Sequence, residues 1–218
     1  MNKPLLTSLA LALALTSTTS VFAAPAAELD FTQINSKIDA LVEKSFPAGE
    51  GQDLSRLKQD ETQKKCSVRA NKPTGAEANE IMANAQATIK YPTSGNLMGD
   101  WKKGEKLAKS GFAMRIGAIE PDAKEKQKGG NGGNCYACHA IDPKEVAAGN
   151  IGNSLTGYGK MRGTSAEMVK YTYDKIYNAQ AFMPCSNMPR FGHNGIITAE
   201  QIADITAFLL APESPVNK

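Results

Sequence analysis

The segment Cys135-Tyr136-Ala137-Cys138-His139 constrains this 218-residue chain more than any other feature. Two thiols three positions apart, with an imidazole directly after the second, match the attachment pattern of a c-type haem. The thiols can reach two vinyl groups on adjacent pyrrole rings, and the histidine projects to the iron from the same turn. Thioether links hold the cofactor even when axial bonds break, and they make its attachment part of folding. Two other chemistries use these residue types. A thioredoxin-like redox pair needs alternating strands and helices around it, and no such alternation is visible. A structural zinc site needs two further ligands at paired spacing, whereas His193, Cys66 and Cys185 are isolated. The residues therefore favour one covalent haem c, with Cys135 and Cys138 as anchors and His139 as axial ligand.

The opposite face of the iron has three candidates. A methionine thioether across from histidine raises the reduction potential and suits electron transfer. Met183 and Met188 each precede a proline, which stiffens a ligand loop. Met188 leads, because Pro189-Arg190-Phe191-Gly192 continues as a tight loop into the last helix. Met183 is the second choice, with core packing as its ordinary alternative. His193, or an open site, completes the set.

The amino-terminal segment reads as an export signal. Lys3 gives a short positive start, Leu5 to Leu15 an apolar run, and Val21-Phe22-Ala23 a small-residue cleavage site. Cleavage is expected after Ala23, since a cut after Ala24 would leave Pro25 directly beyond the scissile bond. The run is too short for a permanent anchor, so the mature form is expected in the periplasm without a membrane span. An oxidising compartment favours disulfides. With two cysteines consumed by haem, Cys66 and Cys185 are the natural pair; a reactive Cys185 thiol beside the haem is the alternative. The net charge of +3 is spread thinly with no dense Lys/Arg block, which gives nucleic-acid binding no support.

Periodicity and capping signals give an all-α chain with long loops. Residues 1–23 form the signal, 24–98 a helical extension thin in apolar residues, and 99–218 the haem-bearing domain. The expected helices run from Asp30 to about Phe46, over Ser55–Lys65, from Thr74 to about Ile89, from Asp100 through the following lysine-rich stretch, from Thr164 or Ser165 to about Tyr177, and from the capping box Thr198-Ala-Glu-Gln201 to Pro212. Met168, Tyr171 and Ile176 are expected to face inward. Gly149–Gly163 and Asn178–Gly195 read as loop.

Taken in order, Asp100-Trp-Lys-Lys-Gly-Glu-Lys-Leu-Ala, Asn134-Cys-Tyr-Ala-Cys-His139, Gly152-Asn-Ser-Leu-Thr-Gly-Tyr-Gly159 and Met188-Pro-Arg-Phe-Gly192 resemble the class I cytochrome c domain. More closely, Ile151-Gly-Asn-Ser-Leu-Thr-Gly-Tyr-Gly, Arg162-Gly163 and Cys185-Ser-Asn-Met-Pro-Arg-Phe-Gly look like the SoxX family, the smaller cytochrome subunits of SoxAX complexes. That resemblance implies a heterodimer with a SoxA-like cytochrome subunit, which couples thiosulfate oxidatively to a cysteine of a SoxY-like carrier protein. This subunit would be a non-catalytic electron relay within an L-cysteine S-thiosulfotransferase, handing electrons to an accepting cytochrome. It implies His139 and Met188 as iron ligands. A freestanding periplasmic electron carrier is the alternative. The chain departs from compact cytochromes in its insert at 111–133 and its extension at 24–98, either of which could be partner-binding surface.

Overall fold

A computed structural model describes residues 31–46, 55–112 and 131–218. The expected signal segment, and 113–130 within the insert, lie outside the described residues. The chain divides at Leu41/Val42, inside the first helix, into two units. That helix, α1 (Phe31–Ser45), follows the apolar spacing read from the sequence, yet Ile38 and Leu41 on its stripe are 50% and 62% exposed.

Among the described residues, the second unit, Val42–Lys218, holds six α-helices and no strand. These are α2 (Glu61–Val68), α3 (Gly75–Ala87), α4 (Trp101–Lys109), α5 (Tyr158–Arg162), α6 (Ala166–Tyr177) and α7 (Ala199–Leu210). The class is all-α, as the periodicity predicts. Most helix starts are fixed by side-chain caps on otherwise orphaned N–H groups. Asp60, Thr74 and Thr198 each close a capping box, and Asp100 and Ser165 accept from Lys102 and Met168.

The core forms where α4 crosses α7. Gly104 makes the crossing possible, since a Cβ there would lie 2.0 Å from the Asp204 carbonyl oxygen. Asp204 also accepts from the Asp100 N–H at 2.7 Å, so the cap of α4 is bonded to its partner helix. Leu107, Tyr173, Ile176, Ile202, Ile205 and Phe208 fill the space between α4, α6 and α7. The orphan carbonyls at the end of α7 are met by the chain terminus: Ser214 donates to Phe208, and Asn217 donates to Leu209 and Ala211.

Three local expectations change. The helix expected over Ser55–Lys65 begins only at Glu61, because Asp60 is the residue able to cap it; a short 3-10 turn, Ser55–Leu57, precedes it. The glycine-punctuated stretch read as loop contains α5. Five residues cannot show a period, and this helix is held from afar, with Asn217 accepting from the Gly159 and Lys160 N–H groups. In α6, Tyr173 is wholly buried, while Tyr171 lies half-buried at the edge against Phe182. Ile176 is buried as expected.

Residues 55–98 pack into the same unit as the haem motif. Tyr173 donates to the Lys90 carbonyl at 2.8 Å and Asn178 donates to Thr88 at 3.1 Å. Cys66 is joined to Cys185 by a disulfide spanning 119 residues, and Ile81 packs beside it as a small separate core. No helix among the described residues is long and apolar enough to cross a membrane.

Candidate haem site

The chain enters the motif through Asn134 in the left-handed region, then turns through a 3-10 segment, Cys135–Ala137. The His139 N–H donates to the Cys135 carbonyl at 2.9 Å, so both cysteines and the histidine share one tight turn. Tyr136, buried between them, pins the turn to the core, and its hydroxyl accepts from the Asp142 N–H. Cys135 and Cys138 are not joined to each other. Burial in apolar surroundings pushes the Cys135 thiol up to about 12.

The run Gly149–Leu155 is laced along this turn. Gly149, Gly152 and Leu155 donate to the carbonyls of Tyr136, Cys138 and Ala140, each at 2.8 Å. Two glycines are required by this approach. A Cβ on Gly149 would lie 1.9 Å from the Ala137 oxygen, and one on Gly152 would lie 2.1 Å from Cε1 of the His139 ring. The next residue supplies the orienting contact, with His139 Nδ1 lying 2.6 Å from the Asn153 carbonyl oxygen. A carbonyl can only accept, so Nδ1 carries the proton and Nε2 keeps its lone pair for a metal.

His139 faces a small apolar cavity of about 30 Å³. Cys135, Met188, Phe191, Leu155 and Ile205 stand among its walls. These walls fit a haem: an imidazole with its lone pair free, a thioether, a thiol on the adjoining turn and otherwise apolar side chains. Of the three candidates for the second ligand, only Met188 lines this cavity. Met183 is 58% exposed. His193 lies with Asp60 and Arg190; burial and the Arg190 charge hold its imidazole below the ordinary histidine value, against the opposing pull of Asp60.

The Met188 segment is fastened in a way the sequence does not announce. Cys185, in the left-handed region at φ 59°, is bonded to Cys66. Arg190, itself buried, donates to the Asp60 carboxylate. That carboxylate is raised by burial, but the Gln63 N–H, the Arg190 bond and charge, and His193 outweigh this and hold it below its usual value. The pair joins residues 130 apart, and no sequence pattern links them.

The family model for cytochrome c matches residues 131–211. An uncharacterized lipoprotein of Aquifex aeolicus (strain VF5) is 47% identical over 163 residues, covering 73% of this chain and 73% of that protein.

Proposed function

Because the chain belongs to the family of that Aquifex aeolicus lipoprotein and carries a cytochrome c domain, we propose that it relays electrons through one haem held by Cys135, Cys138, His139 and Met188. The cytochrome c domain makes haem-based electron transfer the activity and covalently bound haem c the cofactor. Bound haem supplies a reversible one-electron couple. The protein's own part is to fix the ligands and keep the site dry. The observation that carries this assignment is that His139 and Met188 share one apolar cavity while Met183 is turned out to solvent. The Asn153 carbonyl holds the imidazole in the tautomer that leaves Nε2 available. A methionine opposite it, in apolar surroundings, favours a high potential.

Electron exchange needs a partner. Val146 and Ile151 are 96% and 77% exposed on the strip that runs along the attachment turn, flanked by the exposed Ala147 and Ala148. Apolar side chains this exposed beside a redox site support a docking surface. We take the complex to be one that couples thiosulfate to a carrier-protein cysteine. Forming that sulfur–sulfur bond from a thiol and thiosulfate releases two electrons and one proton, and a single-haem relay passes the electrons on one at a time. The motifs at 151–159 and 185–192 support this, since they resemble SoxX, and they imply a SoxA-like subunit and a SoxY-like carrier. The name of the relative supports export, and the leader-like first segment supports export to the periplasm with cleavage after Ala23.

Affinity purification from the native periplasm tests the complex. A second haem-bearing chain is expected in stoichiometric amount, with Ala24 as the first residue of this one. A lone monomer at cellular concentration would instead make it a freestanding electron carrier.

A further inference from the structure

Met188 is suspended between two fastenings, at Cys185 and at Arg190, and both lead to α2 and its cap rather than to the domain that bears the haem motif. The surfaces that meet there share only a small apolar cluster, in which Ile81 packs beside the disulfide. Between α2 and the Met188 segment runs an open polar cleft lined by Gln59, Gln63, Asn71, Ser186, Asn187 and Asn194. On its wall stands Gln180, whose buried Oε1 has no partner. A seam of amides and hydroxyls exchanges its bonds with water at small net cost, so it contributes little to holding the two sides together. The bonds that join them among the described residues are discrete: one disulfide and one ion pair, whose arginine is buried and whose aspartate is partly exposed.

The two fastenings bracket the ligand closely. Cys185 is three residues before Met188 and Arg190 two after it. Beyond Arg190 the chain is secured by the domain itself, with Phe191 in the core and Gly192 and His193 donating to the Tyr177 carbonyl. The stretch tied to α2 is therefore the one that carries Met188, whose side chain also packs against the main core.

We infer that Asp60 is a positioning residue for the sixth iron ligand: its carboxylate, by holding Arg190, keeps the Met188 thioether seated in the haem cavity. The inference rests on Met188 being that ligand. Without Asp60, Arg190 is a buried charge with no counter-ion and turns toward water, drawing Pro189 and Met188 with it. The thioether then spends more time off the iron. Its absence is read by an added ligand, whose apparent affinity rises in proportion to the fraction of open sites.

The test is imidazole titration of the ferric holoprotein. Asp60→Asn is the central variant, because asparagine caps a helix as well as aspartate does and only the charge is lost. Glu61→Gln, on the same turn and paired with Lys64, is the control. Asp60→Asn is expected to bind imidazole about tenfold more tightly than wild type, while Glu61→Gln is unchanged. Arg190→Gln should reproduce the effect, and the double variant should add nothing to either. Equal imidazole affinity in Asp60→Asn and Glu61→Gln overturns the inference. Failure of both the Asp60 and Arg190 variants to load haem also counts against it, since a group that only positions a ligand leaves attachment intact. Met188→Leu separates this from the underlying assignment. If that variant binds imidazole no better than wild type, Met188 is not the ligand and the assignment itself falls.

Discussion

At the scale of single residues, the site turns on what stands immediately behind His139. The imidazole has a glycine against its face and a carbonyl on Nδ1, and neither contact tolerates a side chain at position 152. Gly152→Ala should therefore displace the ring or the chain segment beside it. The expected result is less haem per polypeptide than wild type under equal expression, measured by absorbance against total protein. The cysteines and His139 are legible in the sequence because their chemistry resides in their side chains. The partner of His139 is not, because a backbone carbonyl looks the same at every position. His193 offers a separate test. Its folded-state value lies below the ordinary 6.5, so between the two values the unfolded chain binds a proton more readily. Stability is full above pH 6.5 and falls as the pH drops through that window toward the folded value. With His139 held on iron, His193 is the one other histidine of the chain. Thermal melts of holo His193→Gln should show a flatter pH dependence there than wild type; an identical slope would contradict the lowered value of this imidazole.

At the scale of elements, most helix starts with a short polar cap were readable, as at Thr74, Asp100, Ser165 and Thr198, but not the one at Asp60. What also failed was the reading of helices that borrow their caps. α5 depends on Asn217, which lies 58 residues beyond Gly159. The role of Gly104 in the α4–α7 crossing emerges only from the contact with Asp204. Gly104→Ala must push the helices apart or shift them, and overpacking of this kind costs about 1–3 kcal/mol. Chemical denaturation should show that loss with little change in the slope. The disulfide acts on the unfolded state instead. Closing so long a loop contributes about 4–5 kcal/mol in the chain-entropy model. Cys66→Ala/Cys185→Ala should be destabilised by about 2–5 kcal/mol in denaturant titration of the holoprotein. A change under about 0.5 kcal/mol would mean that residues 55–98 add little to the fold.

For the whole molecule, the order of motifs along the chain already gave an all-α cytochrome-like architecture. The sequence could not say that residues 55–98 close over the Met188 segment, because the deciding pair, Asp60 and Arg190, is separated by 130 residues. Nor could it show that Val146 and Ile151 lie outside the core, since both are residues a sequence rule places inside. Replacing either with a charge should leave the reduction potential unchanged and slow electron exchange with the native partner about tenfold, by stopped-flow mixing. A shifted potential with an unchanged rate would place these residues in the haem environment rather than at a docking surface. The central claim is chemical, and one mass measurement reaches it. The purified protein is denatured without reductant, treated with iodoacetamide and weighed intact. All four cysteines are accounted for here, two as thioethers and two as a disulfide, so the expected mass is the polypeptide plus one haem with no added alkyl group. A polypeptide mass without haem, carrying alkyl groups on Cys135 and Cys138, would contradict the account at its base.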